Sequence, residues 1–132
     1  QLTRAGVPQL AVTAAEAIAV VGPLVVPGRS ACLRCLDLAR AERDPAWPVI
    51  LAQLSQRTAQ PAACDTVLSS AAAAQAAAQA LAFIDRAGPV PAVTGGTIEL
   101  VLPEWQWRRR SWQANERCDC GAWRQKWRTM EI

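Results

Sequence analysis

The sequence predicts one small α/β domain built on a mixed β-sheet. Runs of β-branched residues before residue 30 predict two strands, and an alanine-rich run in the middle of the chain predicts a long helix. Near the carboxyl end, apolar and polar residues alternate with the period of a β-hairpin. The chain has 132 residues, enough for a single small domain. This order of strands, helices and strands is typical of a layered α/β arrangement.

The first half of the chain is expected to hold two strands and two short helices. A strand is predicted over Pro8–Thr13. The next apolar segment, Glu16–Val26, is interrupted by Gly22-Pro23. It therefore predicts one bent strand or two short strands joined by a turn. Helices are predicted over Leu33–Asp44 and Val49–Gln56, each ending where turn-forming residues follow.

The longest predicted element is a helix over Asp65–Arg86, which contains no internal glycine or proline. Its uncharged part, Thr66–Ile84, is long enough to cross a bilayer. Because this part is mostly Ala, Ser and Gln, it is too weakly apolar to prefer lipid. We therefore expect a buried helix that packs closely against a sheet or another helix, with no membrane contact. The chain opens without a signal-peptide pattern, so a cytoplasmic protein is expected.

A β-hairpin is predicted from two alternating segments, Thr97–Leu102 and Trp105–Trp112. The alternation in the second segment places two tryptophans on one face and two arginines on the other: Trp105, Trp107, Arg108 and Arg110. Basic and aromatic residues of this kind can form a platform for single-stranded nucleic acid. Since Arg109 falls on the face opposite to its two neighbours, a solvated strand face is favoured and nucleic acid is not the expected partner. Residues 122–132 are predicted to be a tail.

Cysteines carry the strongest chemical signal in the sequence. Histidine is absent, which excludes histidine-dependent triads and histidine-ligated metal sites. Four of the five cysteines form two close pairs, Cys32 with Cys35 and Cys118 with Cys120. Four thiolates suit a structural zinc ion, and they leave no open coordination position for a catalytic water. Such an ion would join distant parts of the chain; unligated thiols or a disulfide remain the alternatives.

The fifth cysteine, Cys64, lies at the start of the long predicted helix. The amino end of a helix lowers the pKa of a thiol, which favours nucleophilic reactivity. The alternative is that Cys64 is a small buried apolar residue among alanines.

An ordered set of motifs resembles the ThiF/MoeB superfamily of ubiquitin-activating-like adenylyltransferases. The set comprises the Gly22-Pro23 strand leading through Pro27-Gly28 into the Cys32–Cys35 knuckle, the Cys64–Leu68 helix start, and the Cys118–Gly121 segment. The resemblance is strongest to the divergent branch that accompanies azole-forming peptide cyclodehydratases. It implies that residues 1–121 are the carboxy-terminal part of a ThiF-like, Rossmann-type domain, because the family's nucleotide-binding loop has no counterpart here.

The resemblance also implies functions for the residues. The family's zinc ligands correspond to Cys32, Cys35, Cys118 and Cys120, and Cys64 matches a position where some members have an acyl-accepting cysteine. In the divergent branch, a ThiF-like domain binds a precursor peptide and presents it to a YcaO-type enzyme that consumes the ATP. A non-catalytic scaffold, which the family suggests is a homodimer, is therefore expected. The alternatives are half of an active adenylyltransferase using ATP and Mg²⁺, and a zinc-structured nucleic-acid-binding module.

Overall fold

The core of the fold is a four-stranded β-sheet with one long helix packed on it. The computed structural model describes residues 2–56, 62–86 and 90–124. The sheet order follows the chain order, and every neighbouring pair is antiparallel. The strands are β1 (Gln9–Ala15), β2 (Ile18–Val25), β3 (Gly96–Val101) and β4 (Gln106–Ser111).

The prediction of a mixed sheet is wrong, because the three helices between β2 and β3 do not form a simple crossover. The chain returns beside the carboxyl end of β2, where the Leu24 N–H donates to the Val93 carbonyl at 2.9 Å. From that end β3 can only run antiparallel to β2, and Val21 pairs with Ile98. A single helix would have carried the chain back to the opposite end and produced a parallel pair.

The second strand is continuous through its predicted break. Gly22 lies inside β2 with φ +103°, in the region that favours glycine. A Cβ at this position would lie 2.6 Å from the Gly96 carbonyl oxygen, so a side chain cannot be accommodated where the two strands approach. Of the two alternatives, a single strand is the observed one, because β2 runs without a break from Ile18 to Val25.

The helices lie close to their predicted positions. They are α1 (Leu33–Arg43), α2 (Trp47–Gln56) and α3 (Thr66–Asp85). The amino end of α3 is capped by Asp65, whose carboxylate accepts a hydrogen bond from the Leu68 N–H at 2.9 Å. A short 3-10 turn covers Ala122–Arg124, and the rest of the predicted tail lies outside the described residues.

Helix α3 is less buried than its composition predicts. Leu68 and Ala72 pack onto the sheet beside Val21 and Leu100, but Leu81 and other outward residues are exposed. By length and composition alone, α3 would pass for a membrane-spanning helix, and 11% of its most apolar window is buried. The expectation of a buried helix is therefore correct for one face only, because α3 has a single sheet surface to pack against within the described residues.

A second apolar cluster joins α1 to the segment that follows β4. Val25, Leu36 and Trp112 lie in it together with three of the cysteines. A tight turn leads from β2 into this cluster, and it is held by Ser30, which accepts from the Val26 N–H at 2.7 Å and donates to the Leu24 carbonyl at 3.1 Å. This cluster contains the candidate site.

Candidate metal centre

Both predicted cysteine pairs meet at one point of the structure. Cys32 immediately precedes α1 and Cys35 lies in its first turn, while Cys118 and Cys120 lie in the loop after β4. The Sγ atoms are separated by 3.8 Å between Cys32 and Cys35, 3.6 Å between Cys32 and Cys118, and 3.5 Å between Cys35 and Cys120. All four sulfurs lie within 4.8 Å of one another. The long-range meeting of the two pairs, predicted from their motifs, is confirmed.

The spacing of the four sulfurs fits a tetrahedral cation. Zinc–sulfur bonds of about 2.3 Å arranged tetrahedrally place sulfur atoms about 3.8 Å apart. Three of the six separations, at 3.5 to 3.8 Å, match this value to within a few tenths of an ångström, and the others do not exceed 4.8 Å. Disulfides need a sulfur–sulfur distance of about 2.05 Å, so the described thiols are not oxidised pairs. The site can therefore hold a soft divalent metal ion with four sulfur ligands.

The thiols differ in how readily they ionise before a metal binds. Burial raises the pKa of Cys118, and it also raises the pKa of Cys120. Burial acts in the same direction on Cys35, but hydrogen bonds outweigh it and lower the pKa of this thiol. The first of these bonds comes from the Asn115 N–H, 3.4 Å from the Cys35 sulfur. The Cys35 thiol therefore ionises more readily than those of Cys118 and Cys120.

Polar contacts on one side of the centre fix the loop after β4 to α1. The Glu42 carboxylate accepts a hydrogen bond from the Asn115 side-chain amide at 2.9 Å and also pairs with Arg117. These two contacts lower the pKa of Glu42 below its usual value, the bond from Asn115 being the larger cause. Glu42 therefore positions the loop that carries Cys118.

A looser ionic contact lies on the other side. Asp119, between the two cysteines of the second pair, faces Arg34 at 3.8 Å and Arg4 at 3.6 Å. These side chains are largely exposed, so the ion pairs contribute little to stability. Sequence reasoning missed Glu42 and Asn115, which lie 73 positions apart with no local motif to connect them.

Trp112 links the metal centre to the sheet. Its indole N–H donates to Thr97 Oγ1 at 3.0 Å, and both residues are buried. The guanidinium of Arg40 lies 5.2 Å from the ring centre, within cation–π range. The buried indole thus holds the segment after β4 between the sheet and α1.

Cys64 lies apart from the other four cysteines and belongs to the apolar cluster under α3. It precedes the capping residue of α3, and its backbone forms an isolated bridge with Glu16. The thiol contacts the Asp65 carbonyl at 3.4 Å. Cys64 therefore lies beside the start of α3, as predicted. Its nucleophilic reactivity stays a prediction.

The predicted division of the arginines is present on β4, but the predicted position of Trp105 in the strand is wrong, because the chain turns there with φ +53°. Trp105 and Trp107 are 44% and 47% exposed, so neither covers the core. Trp105 lies in the turn before β4, whereas Trp107 and Arg109 share one face of the strand and Arg108 lies on the other. The arginines are therefore divided between two faces, as the sequence predicts.

Solved structures share this fold. E. coli MccB with ATP is similar at a TM-score of 0.67 and 23% identity, over 91% of this chain and 33% of the MccB chain. E. coli MccB with AMPCPP and MccA is similar at a TM-score of 0.67 and 25% identity, over 92% of this chain and 34% of the MccB chain. A heterocyclase in complex with substrate and cofactor is similar at a TM-score of 0.70 and 20% identity, over 92% of this chain and 18% of the heterocyclase chain. No protein-family model and no curated protein matches the chain.

These similarities define the class of fold. The chain has a ThiF-like fold and spans about a third of the MccB chain. Its neighbours include MccB, a microcin C7 biosynthetic enzyme whose structure was solved in complex with N-formylated MccA. The predicted ThiF-like architecture is therefore supported, with an antiparallel rather than a mixed sheet in this part of it.

Proposed function

We propose that this chain is a zinc-stabilised part of a ThiF-like domain from an azole-forming peptide-modification system. In this proposal it is a non-catalytic scaffold that binds a precursor peptide and a YcaO-type partner enzyme. The observation that carries the proposal is the fold, which is shared with MccB bound to MccA and with a heterocyclase bound to its substrate. The bacterial system, cytoplasmic location and partner enzyme belong to the same proposal.

The zinc ion would be held by four ligands, Cys32, Cys35, Cys118 and Cys120. Four thiolates complete a tetrahedral shell, so the ion would cross-link the chain and would not activate a water molecule. The centre would fix the segment after β4 against α1. A rigid surface of this kind suits a scaffold, whose binding energy serves to hold a substrate near the reacting groups of another protein.

The experiment that tests the scaffold function uses the full-length protein together with a candidate precursor peptide and a YcaO-type enzyme from the same genome. We expect calorimetry to show peptide binding with equal affinity in the presence and absence of ATP. Azole formation should require the partner enzyme, and the full-length protein alone should give no ATP–pyrophosphate exchange. Peptide-dependent exchange by the protein alone would overturn the scaffold proposal.

A second candidate is half of an active adenylyltransferase that uses ATP and Mg²⁺, with Cys64 accepting the activated carboxyl group. The similarity to MccB with bound ATP favours it. If this candidate is correct, Cys64→Ser in the full-length protein keeps pyrophosphate exchange and loses the thioester product, as measured by mass spectrometry. The homodimer that the resemblance implies is tested separately, by light scattering of the same protein.

A further inference from the structure

Strand β4 forms an open edge of the sheet. Its only strand neighbour is β3 among the described residues, and all six side chains from Gln106 to Ser111 are exposed. An edge strand presents a row of main-chain donors and acceptors that can pair with another extended chain. The outer side of β4 is therefore a surface on which a further strand fits.

The register of the hairpin shows which main-chain groups point to this open side. The Trp112 N–H donates to the Gly95 carbonyl at 2.8 Å, and the next pair along is Gly96 with Ser111. In an antiparallel ladder, alternate residues direct both main-chain groups towards the partner strand. Those of Trp107, Arg109 and Ser111 are consequently directed outward, whereas those of the intervening residues face β3.

Positive charge lies on both faces of this edge. Arg110 is paired with Glu99 at 2.9 Å, but Arg109 bonds to neutral groups, the Ala92 carbonyl at 3.0 Å and Ser111 Oγ at 2.7 Å. Arg108 contacts the neutral Gln106 side chain at 3.5 Å. Two of the three arginines therefore have no carboxylate partner within the part of the chain that the structure describes.

We propose that the open edge of β4 binds an extended acidic peptide segment, which adds to the sheet as a fifth strand. Consecutive residues of such a segment alternate between the two faces, so a short acidic run would meet Arg108 on one face and Arg109 on the other. An apolar residue of the same segment would lie beside Trp107, which is 47% exposed.

Charge distinguishes this occupant from the other chains that an edge strand attracts. A second copy of β4 would place arginine beside arginine, which is destabilising. The opposite edge strand of the sheet, β1 (Gln9–Ala15), carries no charged residue. It therefore offers no electrostatic attraction to an acidic segment. Nucleic acid would need its phosphates and bases to engage one face, whereas the arginines are divided between two.

This proposal rests on the proposed peptide-binding function and specifies where part of the peptide lies. The probe is a capped octapeptide with three consecutive glutamates flanked by valine and threonine, added to the full chain and followed by amide hydrogen exchange in NMR spectra. We expect the amides of Trp107, Arg109 and Ser111 to exchange at least tenfold more slowly with peptide. The amides that already face β3 should change little. Binding without slower exchange at these three amides would overturn the proposal.

A charge-reversed variant and its control test the electrostatic part. Arg108→Glu should weaken binding of the octapeptide about fivefold or more, since it replaces an attraction by a repulsion at an exposed site. Arg29→Glu makes the same change of charge at an exposed turn away from β4 and should leave the affinity unchanged. Equal weakening in both variants would show a general charge effect and overturn the edge site.

Two further probes separate the alternatives. An octapeptide with lysine in place of glutamate should not bind, and oligothymidine should not displace the acidic peptide or alter exchange at β4. Stronger binding of oligothymidine would identify the edge as a nucleic-acid surface and overturn the proposal. If the natural precursor peptide binds but leaves the three amides unprotected, the edge site is wrong while the scaffold function stands.

Discussion

Removing the metal from the four-cysteine centre should destabilise the whole domain. With an ion bound, the centre would cross-link α1 to the segment after β4, whose ligands Cys35 and Cys118 are 83 positions apart. The other contacts across this junction include the packing of Trp112 against α1 and the exposed pair of Arg34 and Asp119. Exposed pairs of this kind are worth about 0 to 1 kcal/mol, so they cannot replace a metal cross-link.

The size of the effect follows from the loop that the metal closes. A cross-link between residues 83 positions apart removes chain entropy worth about 4.5 kcal/mol from the unfolded state. For a domain of this length, each kcal/mol shifts the melting temperature by roughly 3 to 5 °C. Loss of the metal should therefore lower the melting temperature by roughly 14 to 23 °C.

The assay is calorimetric melting in a phosphine reductant, with and without a zinc chelator, and with zinc added back. Cys118→Ser should melt at the low temperature and gain nothing from added zinc, because a hydroxyl is a poor zinc ligand at this site. Cys64→Ser is the matched control, since Cys64 lies outside the four-sulfur group, and it should respond to chelator as the parent chain does. A melting temperature that stays within 2 °C after the metal has been removed would refute the reasoning.

Three further predictions concern the folded chain. Leu68→Ala should lower the free energy of unfolding by about 3 kcal/mol in urea titrations, because Leu68 is fully buried between α3 and the sheet; a loss under 1 kcal/mol would contradict its core position. Asp65→Ala should cost about 1 kcal/mol by removing the cap of α3, and Asp65→Asn should retain most of it. The pKa of Glu42 is lowered from 4.5, the ordinary value of a glutamate. Its contribution to the free energy of unfolding is therefore fully present above pH 4.5 and is lost as the pH falls through the lower folded-state pKa. The difference in urea midpoint between the parent chain and Glu42→Gln should therefore shrink below pH 4.5, and a constant difference would contradict this role.

The sequence predicts those features that depend on short-range patterns. The strict alternation around Ile98 and Trp107 is enough to place both strands of the hairpin within one or two residues. The alanine-rich run without internal glycine or proline places α3 within one residue at each end. Cysteine pairs with metal-ligand spacing predicted that Cys32 and Cys118 meet, even though 85 residues lie between them in the sequence.

Features that depend on the path of the chain between elements were not predictable in the same way. The antiparallel direction of β3 is set by where the chain returns to β2, at the bond between Leu24 and Val93, and no local pattern encodes that return. The contact of Glu42 with Asn115 depends on the docking of α1 against a distant loop. The exposure of the outward face of α3 depends on which other layers are present, whereas its composition alone suggested burial.

The central claim is that a single zinc ion joins the two cysteine pairs, and X-ray absorption at the zinc edge tests it most directly. The account predicts one zinc per chain, with four sulfur neighbours at about 2.3 Å and no nitrogen or oxygen in the inner shell. Purified protein that carries no stoichiometric metal after growth with zinc, or a spectrum with fewer than four sulfur ligands, would contradict it.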